Sequence, residues 1–302
     1  MRMKIAIAGG SGFVGKEITS HLLQKGHEVC ILTRETGTKQ KSPGVTYVQW
    51  LNDGDTPETE LDGIDCFINL AGESLNSGRW TKKRKEQIKE SRITAAHEMV
   101  RILKKLKRKP KVVLNASAIG YYGTSLTDSF DESNRIDPSD FLSETVTIWE
   151  AAAESEMEGI RTVYMRFGVI LGKEEGALPR MALPYKLFAG GTIGSGEQWL
   201  SWIHIEDVAR AAIFCMEQED MKGPVNFTAP SPATMSRMGK AIGKALHRPH
   251  WMPVPSFMLK AALGEMSILI LQGQKVFPSK LLKAGYQFSY PGLDQALDNI
   301  FR

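Results

Sequence analysis

The sequence predicts an α/β fold built on a doubly wound parallel sheet, and three observations predict it. Lys4-Ile5-Ala6-Ile7-Ala8 has the length and composition of a buried strand. Gly9, Gly12 and Gly15 follow it at three-residue spacing. Val14, Ile18 and Leu22 then recur at i, i+4 and i+8, which is one face of a helix. Gly26 stops that helix, and Glu28-Val29-Cys30-Ile31-Leu32 reads as a second strand. A strand, glycine loop, helix and strand in this order open a Rossmann-type dinucleotide-binding domain. Gly9 allows the tight turn, Gly12 lets the backbone approach a pyrophosphate, and Gly15 lets the helix pack on the strand. Ser11, Phe13 and Val14 complete the predicted cofactor loop, where N–H groups at the helix start receive phosphate charge.

Composition bounds the rest. A chain of 302 residues is long enough for one large α/β domain or two joined ones with a substantial core. A net charge of +4 gives no general case for nucleic-acid or membrane partners. Cys30, Cys66 and Cys215 share no paired spacing and sit in apolar stretches. Reduced, buried thiols of a cytoplasmic protein are expected, with no disulfide framework and no metal site. The first strand starts too early for a signal peptide. Ser267-Ile268-Leu269-Ile270-Leu271 is too short to span a bilayer. A soluble protein is expected.

The second strand ends at Thr33-Arg34, where an acidic residue would select NAD and an arginine accommodates the 2′-phosphate of NADP. Arg34 presents a guanidinium fork suited to phosphate, and Lys39 and Lys41 add charge nearby. The expected cofactor is NADP. Val45 to Trp50 reads as a third strand, Asn52 to Glu60 as a loop, and Cys66-Phe67-Ile68-Asn69 as a fourth strand leading into Leu70-Ala71-Gly72. Trp80 to Lys109 is strongly basic, but Ala96, Met99, Leu103 and Leu106 keep helical spacing. A long helix with one core face and a solvated basic face is therefore expected, rather than a nucleic-acid surface. Lys111 to Ser117 is a fifth strand, followed by Ala118-Ile119-Gly120-Tyr121-Tyr122-Gly123.

These motifs resemble the extended and atypical short-chain dehydrogenase/reductases. The G-x-x-G-x-x-G loop is similar to that of the epimerase-like branch, and Asn69-Leu70-Ala71-Gly72 resembles the superfamily's Asn-x-Ala-Gly signature. The resemblance implies that Leu70, Ala71 and Gly72 lie against the adenine ribose. It also puts Ala116 at the cofactor's edge and Arg92 where extended members usually carry a cofactor-side asparagine. The segment after the fifth strand resembles Ser-x-x-x-Tyr-Gly, in which the serine polarises a substrate carbonyl or hydroxyl. Ser117 is the matching serine. Either tyrosine can match, since one extra residue precedes Gly123; Tyr121 is taken as the catalytic candidate.

The family's Tyr-x-x-x-Lys pair normally follows on the next helix, where the lysine cation lowers the tyrosine pKa. Here that helix, Phe141 to Ala152, holds neither residue. Matching Glu150 to the family's glutamate puts Leu142 and Val146 at the two catalytic places, and neither transfers a proton. A tyrosine without a neighbouring lysine keeps a pKa near about 10, a poor base but a usable acid.

Farther on, Arg161 to Gly172 reads as a sixth strand and a loop. Gly190 to Gly196 reads as a substrate-side loop, and Ser201-Trp202-Ile203-His204 as a strand feeding a helix with Asp207 as N-cap. His204 is read as a structural histidine. Arg248 to Pro255 is too proline-rich for helix and must be an extended connector. With Leu263-Gly264-Glu265-Met266 and Pro278-Ser279-Lys280-Leu281-Leu282, these segments resemble one atypical subfamily, the epimerase-family proteins. It has bacterial members and a human short-chain member, binds NADP, and also lacks the tyrosine–lysine pair.

The resemblance runs end to end. It implies an NADP-binding Rossmann domain over 1–171, with 199–228 returning to it, and a smaller C-terminal α/β substrate-side domain from 172–198 and 229–302. The expected function is an NADP(H)-dependent oxidoreductase or epimerase acting on an unidentified small molecule. The alternative is a catalytically silent NADP-binding sensor or partner-binding protein.

Overall fold

A computed structural model describes residues 2–37, 42–154 and 159–302. Its leading strands are β1 (Lys4–Ala8), β2 (Glu28–Thr33), β3 (Val45–Gln49), β4 (Cys66–Asn69) and β5 (Val112–Ala118). The short β6 (Ser129–Phe130) precedes β7 (Arg161–Phe167), β8 (Val169–Leu171), β9 (Trp199–Leu200) and β10 (Trp202–His204). Then come β11 (Gly223–Phe227), β12 (Ala233–Thr234) and β13 (Lys275–Val276). The helices are α1 (Phe13–Gln24), α2 (Lys82–Lys105), α3 (Phe141–Glu154), α4 (Leu178–Lys186) and α5 (Ile205–Glu217). Toward the C-terminus lie α6 (Met235–Ala245), α7 (Ser256–Leu263), α8 (Ile268–Leu271), α9 (Ser279–Lys283) and α10 (Leu293–Phe301).

The central sheet has seven parallel strands in the order β11-β7-β5-β4-β1-β2-β3, the doubly wound arrangement expected. Alternation along β1 divides the core: Ile5 and Ile7 face α1 and α5 with Ile18, Leu22 and Val208, while Ala6 and Ala8 face α2 and α3 with Met99, Leu103 and Trp149. Both faces are covered, which is why the strands read as unbroken apolar runs. The basic stretch is helical over Lys82–Lys105, capped by Thr81 Oγ1 accepting from the Arg84 N–H at 3.2 Å, with Ile88, Ala96, Met99 and Leu103 buried.

A second core lies beside the sheet, made by Leu178, Tyr185, Trp202, Met238, Ile242 and Leu297 among others. Leu281 and Tyr286 fall in the stretch assigned to the smaller unit, yet they pack into the main core. Tyr286 is tied there by Asp207, whose backbone O and Oδ1 accept from the tyrosine hydroxyl at 3.1 and 3.2 Å. Asp207 was expected to cap α5, but the cap is His204, whose Nδ1 accepts the Glu206 N–H at 3.1 Å. Asp207 is the third residue of α5, within its first turn; it is fully buried and accepts from the backbone N–H groups of Ser289 and Tyr290 at 2.8 and 2.9 Å. It ties the C-terminal segment to α5. All three cysteines are buried and free, and no described helix is long and apolar enough to cross a membrane.

Candidate active site

Strand order reverses at β1, so the loops after β1 and β4 meet at the carboxyl edge of the sheet, where open α/β sheets bind ligands. Gly9 has φ +77°, and a Cβ there would lie 2.9 Å from the Leu70 carbonyl carbon. A Cβ on Gly15 would lie 2.3 Å from Gly9 O. No larger residue fits either place. Gly12 caps α1 in extended conformation with no side-chain bond to the first-turn N–H groups, and that turn holds no acidic residue. The loop is thus a backbone cradle with donors left for an anion, and it fits a dinucleotide pyrophosphate. Ser11 and Gly12 are exposed and Val14 is half-buried at its rim. Phe13 turns away: a Cβ on Gly172 would lie 2.5 Å from its Cζ, so its ring packs on the loop after β8.

The partner wall is held by two buried asparagines. Asn69 Nδ2 donates to Asn115 Oδ1 at 2.8 Å, Asn69 Oδ1 accepts the Ala71 N–H at 3.2 Å, and Asn115 Nδ2 donates to Ala116 O at 2.8 Å. Leu70, Ala71 and Ala116 are positioned by this clasp. Asn115 was not singled out from sequence, because an asparagine inside an apolar strand carries no spacing signal. Arg92 stacks against Gly72, whose added Cβ would meet Arg92 Cγ at 3.2 Å, and its guanidinium lies 5.1 Å from the Trp149 ring. Burial holds its pKa down to about 10, and Nη1 donates to Ile88 O at 2.8 Å. Arg34 is exposed just past the end of β2. Lys39 and Lys41 lie outside the described residues.

The catalytic candidates separate. Ser117 is 2% exposed, and its hydroxyl donates to Glu150 Oε1 at 2.5 Å instead of facing open space. Glu150 also accepts two bonds from Arg166, from Nε at 2.9 Å and Nη2 at 2.8 Å. Arg166 Nη1 donates to the Tyr122 hydroxyl at 3.1 Å, which donates to Asn226 Oδ1 at 2.9 Å. Burial pushes Tyr122 up to about 12, with Arg166 opposing. Tyr121 is half-buried, and the Arg166 guanidinium carbon lies 3.5 Å from its ring centroid. Arg166 and Asn226 were missed from sequence; β7 and β11 deliver them from far along the chain. Leu142 and Val146 do face the loop, with a Cβ on Gly120 falling 3.4 Å from Leu142 Cβ and 3.8 Å from Val146 Cγ2. An open cleft lined by Arg2, Lys4, Glu28 and Glu60 lies at the amino ends of the strands, away from these groups.

A glycine cradle at the switch point of a 3-2-1-4-5 parallel sheet, with a helix of altered catalytic positions beside it, defines an NAD(P)-binding protein of the atypical short-chain dehydrogenase/reductase type. Residues 5–227 match the model of the NAD dependent epimerase/dehydratase family, and the chain belongs to that family. Residues 254–300 match a domain of unknown function, DUF1731. The chain is 51% identical over 300 residues to the epimerase family protein YfhF of Bacillus subtilis, covering 99% of this chain and 98% of that protein. The crystal structure of human epimerase family protein SDR39U1 (isoform 2) with NADPH superposes with TM-score 0.89 at 35% identity, covering 99% of both chains. UDP-glucuronic acid 4-epimerase from Bacillus cereus in complex with NAD shares the fold at 15% identity and TM-score 0.78, over 99% of this chain and 96% of that one.

Proposed function

We propose that the protein binds NADP(H) and acts as an oxidoreductase or epimerase on a small molecule, with Tyr121 as the proton donor. The observation that carries this is the stacking of Tyr121 on Arg166 at 3.5 Å, which puts a fixed cation beside a half-exposed phenol where the tyrosine–lysine pair is lacking. A bound reduced nicotinamide supplies hydride, so the chain has to orient the substrate and move one proton. Tyr121 holds that proton. Ser117 acts as a positioning residue through Glu150, which fixes Arg166 under the ring. Tyr122 is committed to Asn226 and takes no part in proton transfer.

Two observations support NADP over NAD: the exposed Arg34 just beyond the β2 end, and the NADPH in the human structure. The buried free thiols support a cytoplasmic setting. Tyr121→Phe should lower turnover by about 10²- to 10⁴-fold, the usual weight of a general acid, with NADPH affinity unchanged. Full turnover in that variant would overturn the role.

Leu142 and Val146 favour a second reading, an NADP-binding protein without chemistry. Its signature is tight NADPH binding with no cofactor oxidation across aldehydes, ketones, quinones and nucleotide sugars. Steady NADPH consumption with any of them would count against it.

A further inference from the structure

The helix α7 is rich in apolar residues, and none of them is buried. Its first turn exposes Phe257 and Met258, and the connector before it exposes Trp251 and Met252. That connector runs beside the end of α4. The Trp251 and Met252 N–H groups donate to Gly190 O at 2.9 and 3.1 Å, and the Gly194 N–H donates to Val254 O at 2.9 Å. The Trp251 indole N–H donates to Phe188 O at 2.9 Å. Leu187 is the C-cap of α4 and Phe188 follows it, so both border the same surface. Of these side chains all but Met252 are more than half exposed.

Phe188 has φ +60°, a backbone conformation that a bulky side chain adopts only under strain. Its N–H donates to Tyr185 O at 2.9 Å and the Ala189 N–H donates to Pro184 O at 2.8 Å. This is the helix-ending pattern in which glycine is the usual residue at that place. With most of its ring in water, Phe188 regains little of the strain by burial. The charge around these rings has one sign. Residues 176–196 and 235–264 contain no Asp or Glu, although the chain holds 34, and they include Lys186, Lys240, Arg248 and Lys260. The Arg248 guanidinium carbon lies 4.3 Å from the Phe188 ring centroid. Burial, with the charge of nearby Lys240, holds the His250 pKa below its usual value, which places Lys240 beside the connector. Glu265, just past α7, is held by Lys85 at 2.8 Å, and Asp294 of α10 by Arg237 at 2.7 Å.

We propose that this face docks on the surface of an anionic lipid bilayer. Phe188, Trp251 and Phe257 enter the boundary between headgroups and acyl chains, while the lysines and Arg248 meet lipid phosphates. Side chains this exposed protrude rather than line a groove, which suits insertion into a fluid interface over the docking of a peptide. At about 1.5 Å per residue α7 is far too short to span the membrane, so it lies along the surface. A second copy does not fit. A two-fold contact would set Lys186 and Arg248 against their own counterparts, with no carboxylate in these segments to separate them. The net charge of +4 averages this local excess away over the whole chain. The proposal is independent of the NADP(H) reading.

The test is co-sedimentation of the full chain with vesicles of equal parts phosphatidylglycerol and phosphatidylcholine, compared with vesicles of phosphatidylcholine alone. The expected result is binding to the anionic vesicles that weakens with added salt and is about tenfold or more weaker on phosphatidylcholine. Two double variants, Trp251→Ser with Phe257→Ser and Lys186→Glu with Arg248→Glu, should each weaken it by about tenfold or more, with the circular dichroism spectrum unchanged. Phe188→Gly removes the ring and relieves the backbone, so it should weaken vesicle binding with no loss of stability in urea. No binding to the anionic vesicles, equal binding to both kinds, or binding indifferent to all these variants would overturn the proposal. A concentration-dependent dimer that the Trp251→Ser, Phe257→Ser variant abolishes would overturn it too, by giving the face to a second copy. So would a protein retained from cell extract and released by the same variants, if vesicles are not bound.

Discussion

Glu150 and Arg166 form a two-pronged ion pair, at 2.8 and 2.9 Å, with side chains 13% and 4% exposed. One comes from the third turn of α3 and the other from the carboxyl end of β7. A cation this deep is tolerable because Glu150 neutralises it and Tyr122 accepts from its remaining edge. Removing Glu150 leaves the guanidinium buried without its counter-charge. Glu150→Ala should lower unfolding free energy by about 3–5 kcal/mol in urea titrations. The double change Glu150→Leu with Arg166→Met should recover most of that loss, since an apolar pair carries no desolvation cost. Equal destabilisation by the double variant would show that the pair is worth more than its own neutralisation.

Two glycines with different surroundings give a paired test of the cofactor cradle. Gly15→Ala places a methyl 2.3 Å from Gly9 O, so the loop must shift and NADPH affinity should fall more than tenfold by fluorescence titration. Gly26→Ala meets nothing within 4 Å, but φ is +79°. It should cost about 1–2 kcal/mol of stability through backbone strain alone, with NADPH binding intact. Loss of binding in both would separate the cradle from the cofactor.

Arg34 decides which cofactor is preferred, if it meets a 2′-phosphate. A hydrogen bond to a charged group is worth about 1.5–3 kcal/mol, so Arg34→Ala should weaken NADPH by roughly 10- to 100-fold. NADH, which lacks that phosphate, should bind the variant and the parent alike. Equal losses for both cofactors would remove Arg34 from the selection.

Acid should uncouple the loop before β4 from α2. Glu58 accepts from Arg101 and Lys105, and these bonds, the Arg101 bond foremost, hold its carboxyl down to about 2. Because the folded value lies below the unfolded one, its contribution is complete above about pH 4.3 and is lost as pH falls toward 2. Urea midpoints of the parent and Glu58→Gln should therefore differ at pH 7 and converge as pH drops through that window. A difference that stays constant to pH 3 and below would assign the effect to packing.

Much of this molecule was legible along the chain. The period of Val14, Ile18 and Leu22, the spacing of Gly9, Gly12 and Gly15, and the apolar runs of β1, β2, β4 and β5 are local patterns, and local patterns survive in one dimension. The proline-rich connector and the absence of a tyrosine and a lysine from α3 were equally plain. Asp207 was misread because Asp near a helix start is a strong capping signal. A histidine took that role only because buried Asp207 was needed 82 and 83 residues away, at Ser289 and Tyr290.

The sequence by itself determined the sheet, the glycine cradle and the loss of the usual proton-transfer pair, since each depends on residues close together in the chain. Only the tertiary structure decided which polar groups assemble beside the vacated place. Ser117, Glu150, Arg166 and Asn226 come from four elements, and their pairing depends on charge neutralisation inside a shared low-dielectric core. The same holds for Tyr121 and Tyr122. They are adjacent and chemically identical in sequence; in the fold, Tyr122 is buried against Asn226 while Tyr121 covers Arg166 with its ring half-buried.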